Sequence, residues 1–140
     1  MSGTTEETEE TGAAEVVTIQ PVHDFYLQAL VTLLEQLDEN SSMSMSFNVN
    51  GGLVYGQLIT RADWEKLWVA NVRQAHEWTG DVLDAIVRDA GERTGDEPAP
   101  SNFVHLKDAW FMSGNMRQRL SLWRGPLAQI GGWSHSIPGE

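Results

Sequence analysis

Residues 43–60 read MSMSFNVNGGLVYGQLIT. Met43, Met45, Phe47 and Val49 alternate with Ser44, Ser46, Asn48 and Asn50. That period of two belongs to a strand with one buried face. Asn50-Gly51 is a strong hairpin signal, because the tightest two-residue turn needs positive φ at both positions. Such a turn sets Phe47 opposite Val54, Met45 opposite Gly56 and Met43 opposite Leu58. In that register the apolar faces coincide, and a slip of one residue would put them on opposite sides. The stretch therefore predicts an antiparallel hairpin.

On both sides of the hairpin the period lengthens to that of a helix. In residues 24–39, DFYLQALVTLLEQLDE, the residues Leu27, Leu30, Val31, Leu34 and Leu37 form one apolar stripe. Asp24 is placed to cap its start, and Asn40-Ser41-Ser42 to end it. After the hairpin, Thr60 and Asp63 resemble a capping box with Asp in place of Glu or Gln. Trp64, Leu67, Trp68, Val72 and Ala75 make a second stripe. Gly80-Asp81 is expected to break or kink this helical segment. Val82, Leu83 and Ile86 carry it on to about Ala90, and Gly91 stops it.

The remainder reads as loop and strand. Residues 91–101, GERTGDEPAPS, are a polar loop, and FVHLKDAWFMSG (103–114) is a strand with a bend at Lys107-Asp108. Asn115 to Arg119 reads as a basic turn. Leu120 and Leu122 open another strand, and Leu127 to Ile130 form the next. Arg124-Gly125-Pro126 is expected to be the corner between them, since Gly allows tight backbone and Pro starts a strand better than it continues one. Gly131-Gly132 then lets the chain exit.

These readings assemble into an α+β fold. It is a small, bent antiparallel β-sheet or barrel, Sm-like or SH3-like, with an N-terminal helix and a helical insertion at about 61–90. One domain spans 21–137. It follows an acidic tail, residues 1–20, which carries Glu6, Glu7, Glu9, Glu10 and Glu15 and no base. That tail has too little apolar surface to offset its ordering entropy and is expected to be disordered.

Composition excludes several function classes. Twenty acidic and nine basic residues give a net charge of −11 over 140 residues. Neutralising a nucleic-acid backbone needs clustered Lys and Arg, so this balance argues against nucleic acid as a partner. The chain has no cysteine, which removes disulfides and thiolate metal sites. It has no apolar run long enough to span a membrane and no secretory leader at its start, so a cytoplasmic location without membrane association is expected. His23, His76, His105 and His135 are scattered, with no spacing that gathers a metal site. Asp63, Glu65, Asp81, Asp84 and Asp89 read as solvated helix charges. No nucleophile elbow, phosphate loop or His-Glu-x-x-His motif is present. The chain therefore offers no catalytic residue, no cofactor and no metal ligand, and it is expected not to be an enzyme.

Two resemblances sharpen this. Without the helical insertion, SFNVNGGLVYGQL, VHLKDA and WRGPLAQI resemble the layout of the Sm-like barrel, which implies RNA binding or ring formation as an alternative. A resemblance over nearly the whole folded chain is to the gas vesicle accessory protein GvpU family. It rests on FYLQAL, SFNVNGGLVYGQLIT, NFVHLKDAWFMSG and LWRGPLAQIGGW. It implies a non-catalytic protein that acts in gas vesicle assembly or clustering. Its implied partners are the vesicle shell, other gas vesicle proteins and further copies of itself. Of the six tryptophans, Trp64 and Trp68 share a helix face and are expected to pack on the sheet. Trp110, Trp123 and Trp133, with Arg124, are the candidates for self-association or partner contact. The acidic tail and the 91–101 loop would supply charge repulsion that makes assembly depend on salt or pH.

Overall fold

The computed structural model describes residues 24–37, 40–94 and 102–138. Helix α1 (Phe25–Glu35) leads into strands β1 (Met43–Val49) and β2 (Gly52–Leu58). Helices α2 (Arg61–Ala75) and α3 (Glu77–Thr94) follow, then β3 (Phe103–Ser113), β4 (Met116–Pro126), a 3-10 turn (Leu127–Gln129) and β5 (Gly132–Ser134). The strands form one antiparallel sheet in the order β4-β3-β2-β1-β5. Among the described residues no ladder joins β4 to β5, so the sheet is bent but open and does not close into a barrel.

The hairpin has the predicted register, with Phe47 facing Val54, Met45 facing Gly56 and Met43 facing Leu58. Asn50 and Gly51 take φ of 48° and 81°, as the tight turn requires. The core lies between the inner face of the sheet and α1. Leu27, Val31 and Leu34 pack there with Met45, Phe47, Val54, Leu58, Val104, Leu106, Ala109 and Leu127. Asp24 caps α1, its Oδ1 accepting from the amide of Tyr26 at 2.7 Å. Leu37 lies beyond the helix end and is exposed. The Thr60 hydroxyl accepts from the Asp63 amide at 3.1 Å. The Asp63 carboxylate does not complete the capping box. It accepts instead from the Asn40 amide at 2.9 Å, tying the end of α1 to the start of α2.

Several expectations are corrected. Arg124-Gly125-Pro126 is no corner: β4 runs unbroken through it, pairing Arg124 with His105, Gly125 with Val104 and Pro126 with Phe103. Pro126 is tolerated because β4 is an edge strand and the residue is its last. Gly125 is needed for space, since a Cβ there would come within 2.4 Å of the Trp123 indole. Leu127 to Ile130 is a 3-10 turn rather than a strand, closed by the Ile130 amide on the Leu127 carbonyl. Its apolar pair, Leu127 and Ile130, is spaced by three, the period of that helix. Gly131-Gly132 does not let the chain leave: Gly132 opens β5, which returns to β1.

Asn115 to Arg119 is not one turn either. Only Gly114-Asn115 turn, and Arg117 and Arg119 belong to β4. The helical insertion breaks at His76, whose backbone is extended, and not at Gly80-Asp81. Gly80 is where α3 crosses α2 closely, because a Cβ there would meet the Arg73 Cα at 2.6 Å. Helix α3 passes Gly91 and ends at Thr94, so the first part of the expected loop is helical. Residues 95–101 and the acidic tail lie outside the described residues. Of the second stripe, Trp64 is buried, as is Val69 from outside it, whereas Leu67 and Ala75 are exposed. The Lys107-Asp108 bend is a bulge, with φ of 50° at Asp108 and 67° at Ser121 opposite it.

Candidate functional site

Strand alternation divides the four candidate residues between two faces. Trp123 and Trp133 pack against the core on the inner face. Trp123 stacks on Phe47 with ring centroids 6.4 Å apart and planes at 25°. Trp133 pairs with Phe47 across β5 and β1, and its indole Nε1 donates to Asp24 Oδ2 at 3.0 Å. That hydrogen bond, first among the causes, holds the Asp24 carboxyl below its ordinary pKa. Both tryptophans are half-buried; Trp133 fastens the short β5 to β1 and to the start of α1, and Trp123 packs β4 onto Phe47.

Arg124 and Trp110 belong to the outer face, separated by the bulge. The Arg124 guanidinium lies 3.8 Å from the centre of the Phe103 ring, and its Nε donates to His105 Nε2 at 3.0 Å. A guanidinium only donates, so Nε2 must accept and the His105 proton sits on Nδ1. His105 is only 2% exposed. The Trp64 ring covers it at a centroid distance of 5.4 Å, and Trp68 lies 5.2 Å beyond Trp64. Burial, and then the charges of Arg124 and Arg61, push the His105 pKa down to about 3. Burial likewise lowers Arg124 and raises Glu65. His105 Nδ1 and Trp64 Nε1 are both buried without a hydrogen-bond partner. An imidazole with so low a proton affinity, and with its acceptor nitrogen occupied, is no general base near neutral pH.

Trp110 is half-buried beyond the bulge and pairs with Tyr55 on β2. The Arg117 guanidinium stands 4.5 Å above the Trp110 ring and 6.0 Å from that of Tyr55. Arg119, directly opposite Trp110 on β4, is exposed, as is Arg117. The four candidates thus do not converge on one pocket. Among the described residues no group of three or more His, Asp or Glu is placed to hold a metal ion. No described helix is long and apolar enough to cross a membrane.

Comparison with known families adds what geometry alone does not. The model of the family described as gas vesicle protein GvpU-like matches residues 24–137. This chain belongs to the GvpU-like gas vesicle protein family. The matched span starts at the N-cap of α1 and ends beyond β5, so it takes in every described helix and strand of the GvpU-like fold. No curated protein and no solved structure matches the chain. Membership makes this a gas vesicle-related protein of an accessory type.

Sequence reasoning missed two features of this GvpU-like surface. The scatter of the four histidines gives no hint of a buried one, although His105 sits between Val104 and Leu106 on a strand that α2 covers. Arg117 and Arg119 were read as turn residues. The alternation Met116-Arg117-Gln118-Arg119-Leu120, continuous with LSLW, was the available signal that they lie on a strand.

Proposed function

We propose that this protein is a non-catalytic gas vesicle accessory protein of the cytoplasm. It acts in vesicle assembly or clustering by associating with itself and by binding the vesicle shell or other gas vesicle proteins. The observation that carries the reading beyond family membership is the exposed apolar surface. Phe25 and Tyr26 on α1 are 73% and 72% exposed, and Trp78 on α3 is 70% exposed. Leu33 on α1 and Val82 and Ile86 on α3 extend these patches. Contiguous apolar surface of this kind marks contact with other macromolecules. The half-buried Trp110, on the outer face that also carries Arg124 beyond the bulge, is a further contact candidate, whereas Trp123 and Trp133 contribute through the shape of the sheet.

The net charge of −11 opposes contact between copies. Salt screens that repulsion, so association should strengthen as salt is added. Light scattering of the purified chain over a salt series tests this. A weight-average mass that rises with salt is the expected result, and a strict monomer at every salt concentration refutes it. The RNA-binding alternative has less to stand on. Arg124 is held between Phe103 and His105 and does not project from a corner. Filter binding at about 50 mM salt separates the two readings, since phosphate contacts are strongest there.

A further inference from the structure

Four described bases, Lys107, Arg117, Arg119 and Arg124, have no carboxylate within ion-pair distance among the described residues, and two of them, Arg117 and Arg119, stand together on the exposed end of β4. Arg61 is 3.9 Å from Glu65, and Arg73 and Arg88 bond Asp81 and Asp84 at 2.9 Å. Arg117 and Arg119 are exposed, and among the described residues neither has a carboxylate within ion-pair distance. Unpaired cations are unexpected in a chain with twenty acidic residues. Both lie on β4, two residues apart, so they share a face at a spacing of about 7 Å. Arg117 rests its flat face on Trp110, which leaves the N–H edges of its guanidinium open to a carboxylate.

The backbone beside them is open as well. Strand β4 is an edge of the sheet, 11 residues long, with β3 on one side and no described strand on the other. Long exposed edges invite pairing with other chains, and proteins commonly cover them. The densest run of acids in the sequence is Glu6-Glu7-Thr8-Glu9-Glu10, in a tail without a single base up to residue 20. In an extended chain Glu7 and Glu9 point to one side at the same spacing of about 7 Å as the two arginines.

The chain has the reach. Asp24 is held at the opposite edge through Trp133 of β5, four strand spacings from β4, or roughly 19 Å. Residues 11–23 can span about 43 Å when extended. Tethering also gives a chain's own segment a higher effective concentration than a second copy has in dilute solution.

We infer that the Glu6–Glu10 segment docks along the Arg117–Arg119 edge of β4 in the same chain and covers that edge. The contact does not require self-association. Because the contact is between opposite charges, salt weakens it.

The absence of cysteine allows a clean test. A nitroxide on Thr4→Cys is the only thiol label in the chain. In the 15N-labelled protein at low salt, the amide signals of Met116 to Arg119 should lose most of their intensity. They should recover in about 0.5 M NaCl, where the Debye length is near 4 Å. They should also recover in the Arg117→Glu/Arg119→Glu variant, whose fold is checked by the remaining amide shifts. If that variant does not fold, replacing Glu6, Glu7, Glu9 and Glu10 by Gln leaves the described fold untouched and must give the same recovery. Losses that persist after the charge changes overturn the docking. Losses that appear when spin-labelled 14N chains are mixed with unlabelled-spin 15N chains assign the contact to a second copy and overturn the same-chain assignment.

Discussion

Replacing His105 by Gln isolates one buried titration. The folded protein holds this imidazole at a pKa of about 3, against 6.5 for an unperturbed histidine. At pH 7 it is therefore mostly neutral in both the folded and the unfolded chain. As pH falls through 6.5 the unfolded chain takes up the proton, and the folded chain does not until near pH 3. Unfolding then binds protons, so His105 withdraws stability as the solution is acidified, over the window from about 7 down to about 3. Because the folded value lies well below 5, the loss between pH 7 and pH 5 is set by the unfolded chain alone and comes to about 2 kcal/mol. A glutamine side-chain oxygen can still accept from Arg124 Nε but cannot titrate. Urea unfolding followed by tryptophan fluorescence, at pH 7 and pH 5, gives the stability of each protein. The acidic residues act on both proteins alike and cancel in the comparison. Wild type should lose about 2 kcal/mol more than His105→Gln over this interval. Parallel losses would refute the reasoning, because His105 would then be charging inside the fold and could not be sealed beneath Trp64.

Three further substitutions test the packing around the sheet and helices by the same unfolding measurement. Gly56→Ala places a Cβ 2.7 Å from the Lys107 carbonyl oxygen and 3.1 Å from the Ala109 Cα. Backbone at the bulge cannot yield cheaply, so a loss of about 1–3 kcal/mol is expected; an unchanged midpoint would place the bulge elsewhere. Thr60→Ala removes the acceptor for the Asp63 amide and should cost about 1 kcal/mol, with α2 fraying first. Gly91→Ala adds a methyl with nothing within 4 Å, in the interior of α3. It should stabilise by up to about 1 kcal/mol, and a loss would mean that the helix ends at residue 91.

Local chemistry made the hairpin, both helix caps and the Lys107-Asp108 irregularity legible before any coordinates. Each depends on residues at most a few positions apart: Asn50 with Gly51, Thr60 with Asp63, Asp24 with the amides of Tyr26 and Leu27. The failures have a common cause. Gly80, Gly91 and Gly125 were read as backbone punctuation, yet none takes a positive φ. Gly80 and Gly125 make room for Arg73 and for the Trp123 indole, and such crowding depends on how the chain returns on itself. Chain order could not say that Trp123 and Trp133 would pack on the inner face, toward α1, while Trp110 faced away.

The sequence alone determined the alternation of one helix, a hairpin, a helical insertion and further strands, the family resemblance, and the acidity that resists contact between copies. Tertiary structure alone decided that β4 runs straight through Arg124-Gly125-Pro126, that Trp64 seals His105 as a neutral imidazole, and that Arg117 and Arg119 stand on an edge strand with no carboxylate partner among the described residues. Periodicity and capping act over a few residues and are written in the order of the chain. Burial, strand neighbours and ion pairing depend on which distant segments meet, as when the indole of Trp133 reaches the carboxylate of Asp24 across the sheet.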